Sequence, residues 1–110
     1  MKLKPIKDKK KIEKIFELGS FFNYRSVAVK FYDFNNYPSE YGVSVPKKNF
    51  PLAVTRNKIK RQIRSCVDDL SKKSSIKNGR SFFVIINHQK IPRYDEIYTD
   101  LSSVFEKLSS

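Results

Sequence analysis

The residues best suited to chemistry lie in one stretch, AVTRNKIKRQIR, from Ala53 to Arg64. At ~100° per residue on a helix, Lys60 and Arg61 stand ~100° apart, with Asn57 and Arg64 between them. These four side chains form one polar face. Arg56 falls near the edge of the apolar stripe, and Lys58 projects to the other side. Such a face sets several cations and one amide against phosphate and sugar oxygens at fixed spacing. Basic helix faces are also common as plain solvated surface. Two features favour contact. No acid lies within four residues to pair these cations on their own face until Asp68, which is i+4 from Arg64. Lys47 and Lys48 also bring positive charge just ahead of the helix.

The whole chain shares this bias. Its 110 residues carry 23 Lys and Arg against 11 acids, a formal charge of +12. An excess of that size repels itself in the compact state unless a polyanion or counterions offset it. Nucleic acid is the first suspect and an anionic membrane surface the second. The length suits one domain, and 9 Phe with 6 Tyr supply enough apolar surface to fold. Cys66 and His88 are the only residues of their types. An intrachain disulfide, a Cys-based zinc site and a nuclease built on a histidine pair are therefore excluded. No apolar run approaches the ~20 residues of a membrane span, and MKLKPIKDKKK lacks an apolar signal core. A reducing, cytoplasmic location is expected.

The charge is unevenly placed. Lys2, Lys4, Lys7, Lys9, Lys10 and Lys11 crowd the start against the single acid Asp8. Tyr41 to Val67 contains no acid, whereas Asp95, Glu96, Asp100 and Glu106 gather near the end. One pole of the fold is expected to be electropositive.

Three helices must position these groups. Asp8 can cap the first, Ile12, Ile15 and Phe16 give it a core stripe, and Gly19 can end it in a left-handed conformation. The second spans roughly 52–73, with Ile59, Ile63, Cys66, Val67 and Leu70 on one face. The third spans about 94–108 with Ile97, Leu101, Val104, Phe105 and Leu108, and Asp95 and Glu96 suit its positive end. Strand signals lie between them. Residues 21–34 are aromatic and β-branched, with Val27, Val29 and Phe31 sharing a face, and Asn23 and Tyr24 can split the run in two. After the loop NNYPSE, the strand YGVSV stops at Pro46. SSIKNGR reads as a turn. Ser81 to Asn87 then forms an apolar strand covered on both faces.

In Tyr41 to Arg64 the chain resembles the bacterial ribonuclease P protein subunit family. The resemblance rests on a G-x-S-V strand, a Lys-Lys pair and A-V-x-R-N-x-x-K-R-x-x-R on a helix. Gly42, Ser44, Val45, Lys47, Lys48, Ala53, Val54, Arg56, Asn57, Lys60, Arg61 and Arg64 match in order. Weaker similarity covers nearly the whole chain, including the F-x-x-G end of the first helix and Arg25 at the next strand. The resemblance implies a single α+β domain over 1–110, similar to ribosomal protein S5 domain 2. It would have about four strands in a mixed sheet, three helices and a left-handed β-α-β crossover; periodicity alone predicts the common right-handed one.

The function implied is that of a protein subunit in a tRNA-processing ribonucleoprotein, which removes the 5′ leader of precursor tRNA. Hydrolysis would be carried by a catalytic RNA with bound Mg²⁺, so no catalytic side chain, protein-held metal or obligate protein partner is expected. Lys47, Lys48, Arg56, Asn57, Lys58, Lys60, Arg61 and Arg64 would face the catalytic RNA. Ile12, Phe16, Ala28, Lys30 and Tyr32 would line a cleft for the single-stranded leader, where stacking and phosphate contact need no particular sequence. The chain departs from the family pattern at Ile12, where Phe is frequent, and at Lys30, where an aromatic is frequent. It also departs at Pro46, which replaces a usual Ser, and at NFPL, 49–52, which replaces a Gly-Asn-type loop. A one-residue slip in the 21–34 strand would exchange the leader face for the core face.

Two other classes fit the composition. A non-enzymatic RNA-binding module, ribosomal or double-stranded-RNA-binding, shares the opening α-β-β-β-α order. It lacks a place for the strand after Arg80 and the third helix, and the chain has no GXXG loop or RNP-type strand. A membrane-surface protein would need a broader apolar stripe than the basic helix offers.

Overall fold

A computed structural model describes residues 3–35, 38–86 and 88–109. Its elements run β1 (Lys4–Pro5), α1 (Lys9–Leu18), β2 (Ser20–Asn23), β3 (Val27–Asp33), β4 (Glu40–Ser44), α2 (Ala53–Lys73), β5 (Arg80–Ile86) and α3 (Tyr94–Leu108). One mixed sheet has the order β1-β4-β5-β3-β2. The α+β class, the single domain and the three helices agree with the reading of the sequence. The sheet has five strands rather than about four. The added β1 is two residues long, contains Pro5 and pairs parallel to β4, so it carries no alternation to betray it.

Strand β5 sits between β4 and β3 and is buried along nearly its whole length, as an unbroken apolar run requires. Asn87, expected at its end, and Asn36 and Tyr37 of the following-strand loop lie outside the described residues. The run over 21–34 splits into the antiparallel pair β2–β3, with Phe22 opposite Val29 and Phe21 opposite Lys30. Strands β4 and β5 are parallel and joined through α2.

Sheet alternation divides the core into two layers. Val27, Val29, Phe82, Val84 and Ile86 meet the apolar stripes of α2 and α3 on one face. On the opposite face, Ile15 of α1 packs with Ile6, Phe34 and Phe83. Asp8 caps α1 by accepting the Lys10 N–H at 2.9 Å. Gly19 ends the helix but has φ −70°, so the expected left-handed conformation is not adopted. Its glycine is required by space instead: a Cβ would lie 2.2 Å from the Ile15 carbonyl oxygen and 2.7 Å from that of Phe31.

Two buried cations tie the layers together. Lys11, counted among the N-terminal charges, is buried and reaches Glu40 Oε1 at 2.6 Å. Arg80 clasps Asp33 through Nε at 2.7 Å and Nη2 at 3.1 Å, and its Nη1 donates to the Leu108 carbonyl at 3.0 Å.

Candidate nucleic-acid interface

Helix α2 is anchored by Ile59, Ile63, Cys66, Val67 and Leu70, all buried. The stripe predicted from spacing is therefore the face that meets the sheet, and the basic side chains turn outward. Asn57, Lys58, Arg61 and Arg64 are exposed and Lys60 is half-buried. Their side chains make no hydrogen bond or ion pair with any described residue. That includes Arg64 with Asp68, despite their i,i+4 spacing. Cations held on a rigid helix without protein partners are free to meet phosphate oxygens.

Arg56 behaves differently. Its Nη1 donates to the carbonyls of Phe50 and Pro51, both at 2.8 Å. The loop 46–52 is shaped by this latch, by the buried ring of Phe50, and by Asn49 and Phe50 N–H groups donating to the Pro46 carbonyl. Lys47 and Lys48 ride exposed on that turn. The sequence motif places Arg56 with its neighbours, but the structure uses it to hold the lead-in to the helix.

The second surface lies between α1 and the exposed face of the sheet. Phe16 is 37% exposed, and its ring centroid is 5.0 Å from that of Phe83. Lys30 Nζ donates to the Phe16 carbonyl at 3.0 Å and sits 5.4 Å from the centre of the Phe16 ring. Phe21, 52% exposed, lies 6.0 Å from the same ammonium. The register therefore puts Lys30 on the α1 side, as expected. Phe21 was missed, although alternation with core-facing Phe22 assigns it to this face. Ile12 and Tyr32 are half-buried against the small core, and Ala28 is only 2% exposed. Phe16 and Phe21 are thus the most exposed members of this group, with the half-buried Lys30 beside both rings. Two rings flanking an ammonium suit unpaired bases and a phosphate.

Burial pushes the Cys66 thiol upward, away from a reactive thiolate. Burial also raises the Tyr41 hydroxyl, reinforced by Asp68 and opposed by the nearby Arg64. Among the described residues no three His, Cys, Asp or Glu come together, and the basic faces lack the carboxylate oxygens a hard divalent cation requires. Among the described residues, the cations of these two faces do not fit a Mg²⁺ ion. No helix among the described residues is long and apolar enough to cross a membrane.

Fold and surface together define a small basic α+β protein with a cationic helix face and an aromatic groove. The Ribonuclease P family model matches residues 1–109, and the chain belongs to that family. It is 31% identical over 96 residues to the ribonuclease P protein component of Pseudanabaena sp. (strain PCC 6903), covering 86% of this chain and 81% of that protein. The structure of the Staphylococcus aureus RNase P protein superposes with a TM-score of 0.81 at 28% identity, covering 99% of this chain and all of that one. The Thermotoga maritima RNase P protein, 19% identical, shares the fold with a TM-score of 0.80 over 97% of this chain and 99% of its own.

Proposed function

We propose that the chain is the protein subunit of a ribonuclease P ribonucleoprotein and assists removal of the 5′ leader from precursor tRNA in the cytoplasm. The observation that carries this reading is the outward face of α2, where Asn57, Lys60, Arg61 and Arg64 have no hydrogen-bond or ion-pair partner among the described residues, on a helix whose other face is locked into the core. In this reading that face, with Lys58 and the Lys47–Lys48 turn, holds the backbone of the catalytic RNA. The Phe16, Phe21 and Lys30 group receives the single-stranded leader, with Ile12, Ala28 and Tyr32 supporting it from within.

The division of labour follows from the side chains. Protein cations bind and orient polyanions, whereas phosphodiester hydrolysis needs a general base or metal-held water that these surfaces do not supply. In this reading catalysis and Mg²⁺ belong to the RNA partner. The deciding experiment is cleavage of precursor tRNA by a bacterial ribonuclease P RNA with and without this chain, across a Mg²⁺ titration. Cleavage at lower Mg²⁺ and tighter binding of precursor than of mature tRNA are expected. No rescue at low Mg²⁺ together with equal binding of both tRNAs rejects the proposal.

A further inference from the structure

A second basic site lies away from both surfaces. The turn between β2 and β3 and the loop between β5 and α3 enclose a cavity of about 390 Å³ lined by Arg25, Ser26, His88, Lys90, Arg93 and Glu96, with Ile91 and Pro92 completing its wall. Arg93 is already held there, 3.3 Å from Asp95 and 3.4 Å from Glu96. Arg25 and Lys90 are exposed and make no hydrogen bond or ion pair with any described residue. They come from two separate elements and face one open cavity.

The turn that presents Arg25 is held in place from inside. Asp100 of α3 is buried and its Oδ2 accepts the Ser26 N–H at 2.8 Å and the Ser26 hydroxyl as well. Across the turn, the Tyr24 N–H donates to the Val27 carbonyl at 2.8 Å. Arg25 therefore projects from a fixed backbone, and ordering it against an anion costs less entropy than ordering a loose tail.

Topology puts this cavity at the same end of the sheet as the α2 lead-in. Val27 pairs with Ile86 and Ser44 pairs with Ile85, so the start of β3, the end of β4 and the end of β5 coincide there. Helix α2 also begins at that end. The Tyr94 hydroxyl at the start of α3 meets Ser65 of α2 at 3.3 Å. Lys58 lies on the same side of α2 as Ser65, seven residues earlier and so ~10 Å along the axis.

We propose that Arg25 and Lys90 form a separate docking point for RNA phosphates, so that one RNA backbone engages the α2 face and this cavity together. The inference rests on the chain being an RNA-binding subunit. A linear polyanion suits the geometry better than a small anion, because the cavity is open and lies at the same end of the sheet as the Lys47–Lys48 turn and the start of α2. The phosphates are those of the catalytic RNA, the backbone that the α2 face holds in the same reading.

The test compares wild type, Arg25→Ala/Lys90→Ala and Arg61→Glu, first confirmed equal to one another in circular dichroism and melting. Lys90→Ala alone, on an exposed loop, serves if the double variant melts lower. Affinity is measured over a salt series for a bacterial ribonuclease P RNA alone and, separately, for precursor tRNA on the assembled enzyme. The double variant is expected to bind roughly tenfold more weakly near 150 mM salt, with a log–log salt slope shallower by about 1–2. Loss in the first assay bears the proposal out, and loss only in the second overturns it by assigning the site to precursor tRNA. Unchanged affinity and slope in both, while Arg61→Glu weakens binding, overturns the proposal. Wild-type stimulation of cleavage is scored independently and decides the functional reading on its own. If that fails while the double variant still loses affinity for a single-stranded RNA oligonucleotide, the site stands without it.

Discussion

A guanidinium on α2 serves either as surface charge or as a latch, and two substitutions separate the uses. Arg61 makes no hydrogen bond or ion pair with a described residue, so Arg61→Glu is expected to weaken RNA binding more than tenfold while leaving the melting temperature within a degree or two. Arg56 donates to two loop carbonyls, so Arg56→Ala is expected to cost about 1–2 kcal/mol of stability. Its effect on RNA binding then follows from a loosened Lys47–Lys48 turn. Equal melting of both variants would put Arg56 back among the surface charges. Asp33 supplies a pH test. The hydrogen bond from Arg80 holds its carboxyl below the usual carboxylate value, helped by the charges of Arg80 and Lys77 and opposed by burial. A lowered folded-state pKa stabilises above the unfolded value of ~3.9, and that contribution is lost as pH falls through the folded value. Asp33 is partly exposed while Arg80 is 9% exposed, so solvent screening limits the effect to about 1–2 kcal/mol at pH 7. Urea melts of Asp33→Asn and wild type are expected to differ by that amount at neutral pH and to converge only as pH falls below ~3.9 and through the lowered folded value. A gap that stays constant would remove the ion pair as its cause.

At the scale of elements, the glycine in β4 links packing to the groove. A Cβ on Gly42 would lie 2.3 Å from the Phe83 ring, which in turn rests against Phe16. Gly42→Ala must push Phe83 toward α1 and is expected to cost about 1–3 kcal/mol by overpacking. Calorimetric melting checks the stability, and Phe83→Leu in the same background should restore part of it. An unperturbed Gly42→Ala melt would mean the ring is not wedged there. Elements with a strong period were legible from the residues alone. The stripes of α2 and α3 and the apolar run of β5 each define one buried surface, and their bounds moved by a residue or so. What escaped notice depended on contacts between distant segments. Strand β1 has no pattern of its own, the burial of Lys11 needs Glu40 from β4, and the latch of Arg56 needs a loop whose path only Phe50 and the core decide. Gly19 was expected at a helix end for its freedom of φ, but its role comes from the Phe31 carbonyl of a neighbouring strand. Of the groove, alternation placed Lys30 correctly, whereas the burial of Ala28 depends on both flanking strands.

Across the whole molecule, the charge of +12 sets the conditions under which the fold is stable. The described ion pairs bring Lys11, Lys73, Lys77, Arg80 and Arg93 together with acids, leaving Lys58, Lys60, Arg61 and Arg64 of α2 and Arg25 and Lys90 of the cavity without an acidic partner among the described residues. Like charges at that spacing repel in the native state and separate on unfolding, so repulsion subtracts from stability. Any anion that binds the folded chain more tightly than the unfolded one raises stability by mass action. Multivalent oxyanions satisfy several cations at once, whereas chloride only screens them. Low-millimolar sulfate or phosphate is therefore expected to raise the melting temperature by several degrees above sodium chloride of equal ionic strength. At these concentrations the general exclusion effect of such salts is small, so the difference reports binding. Replacing Arg61 and Arg64 by Gln should cut the sulfate increment while raising the melting temperature in chloride, because the same substitution removes both the anion site and its repulsion. An increment equal for sulfate and chloride would show that diffuse screening, and not a built anion surface, governs the stability of this chain.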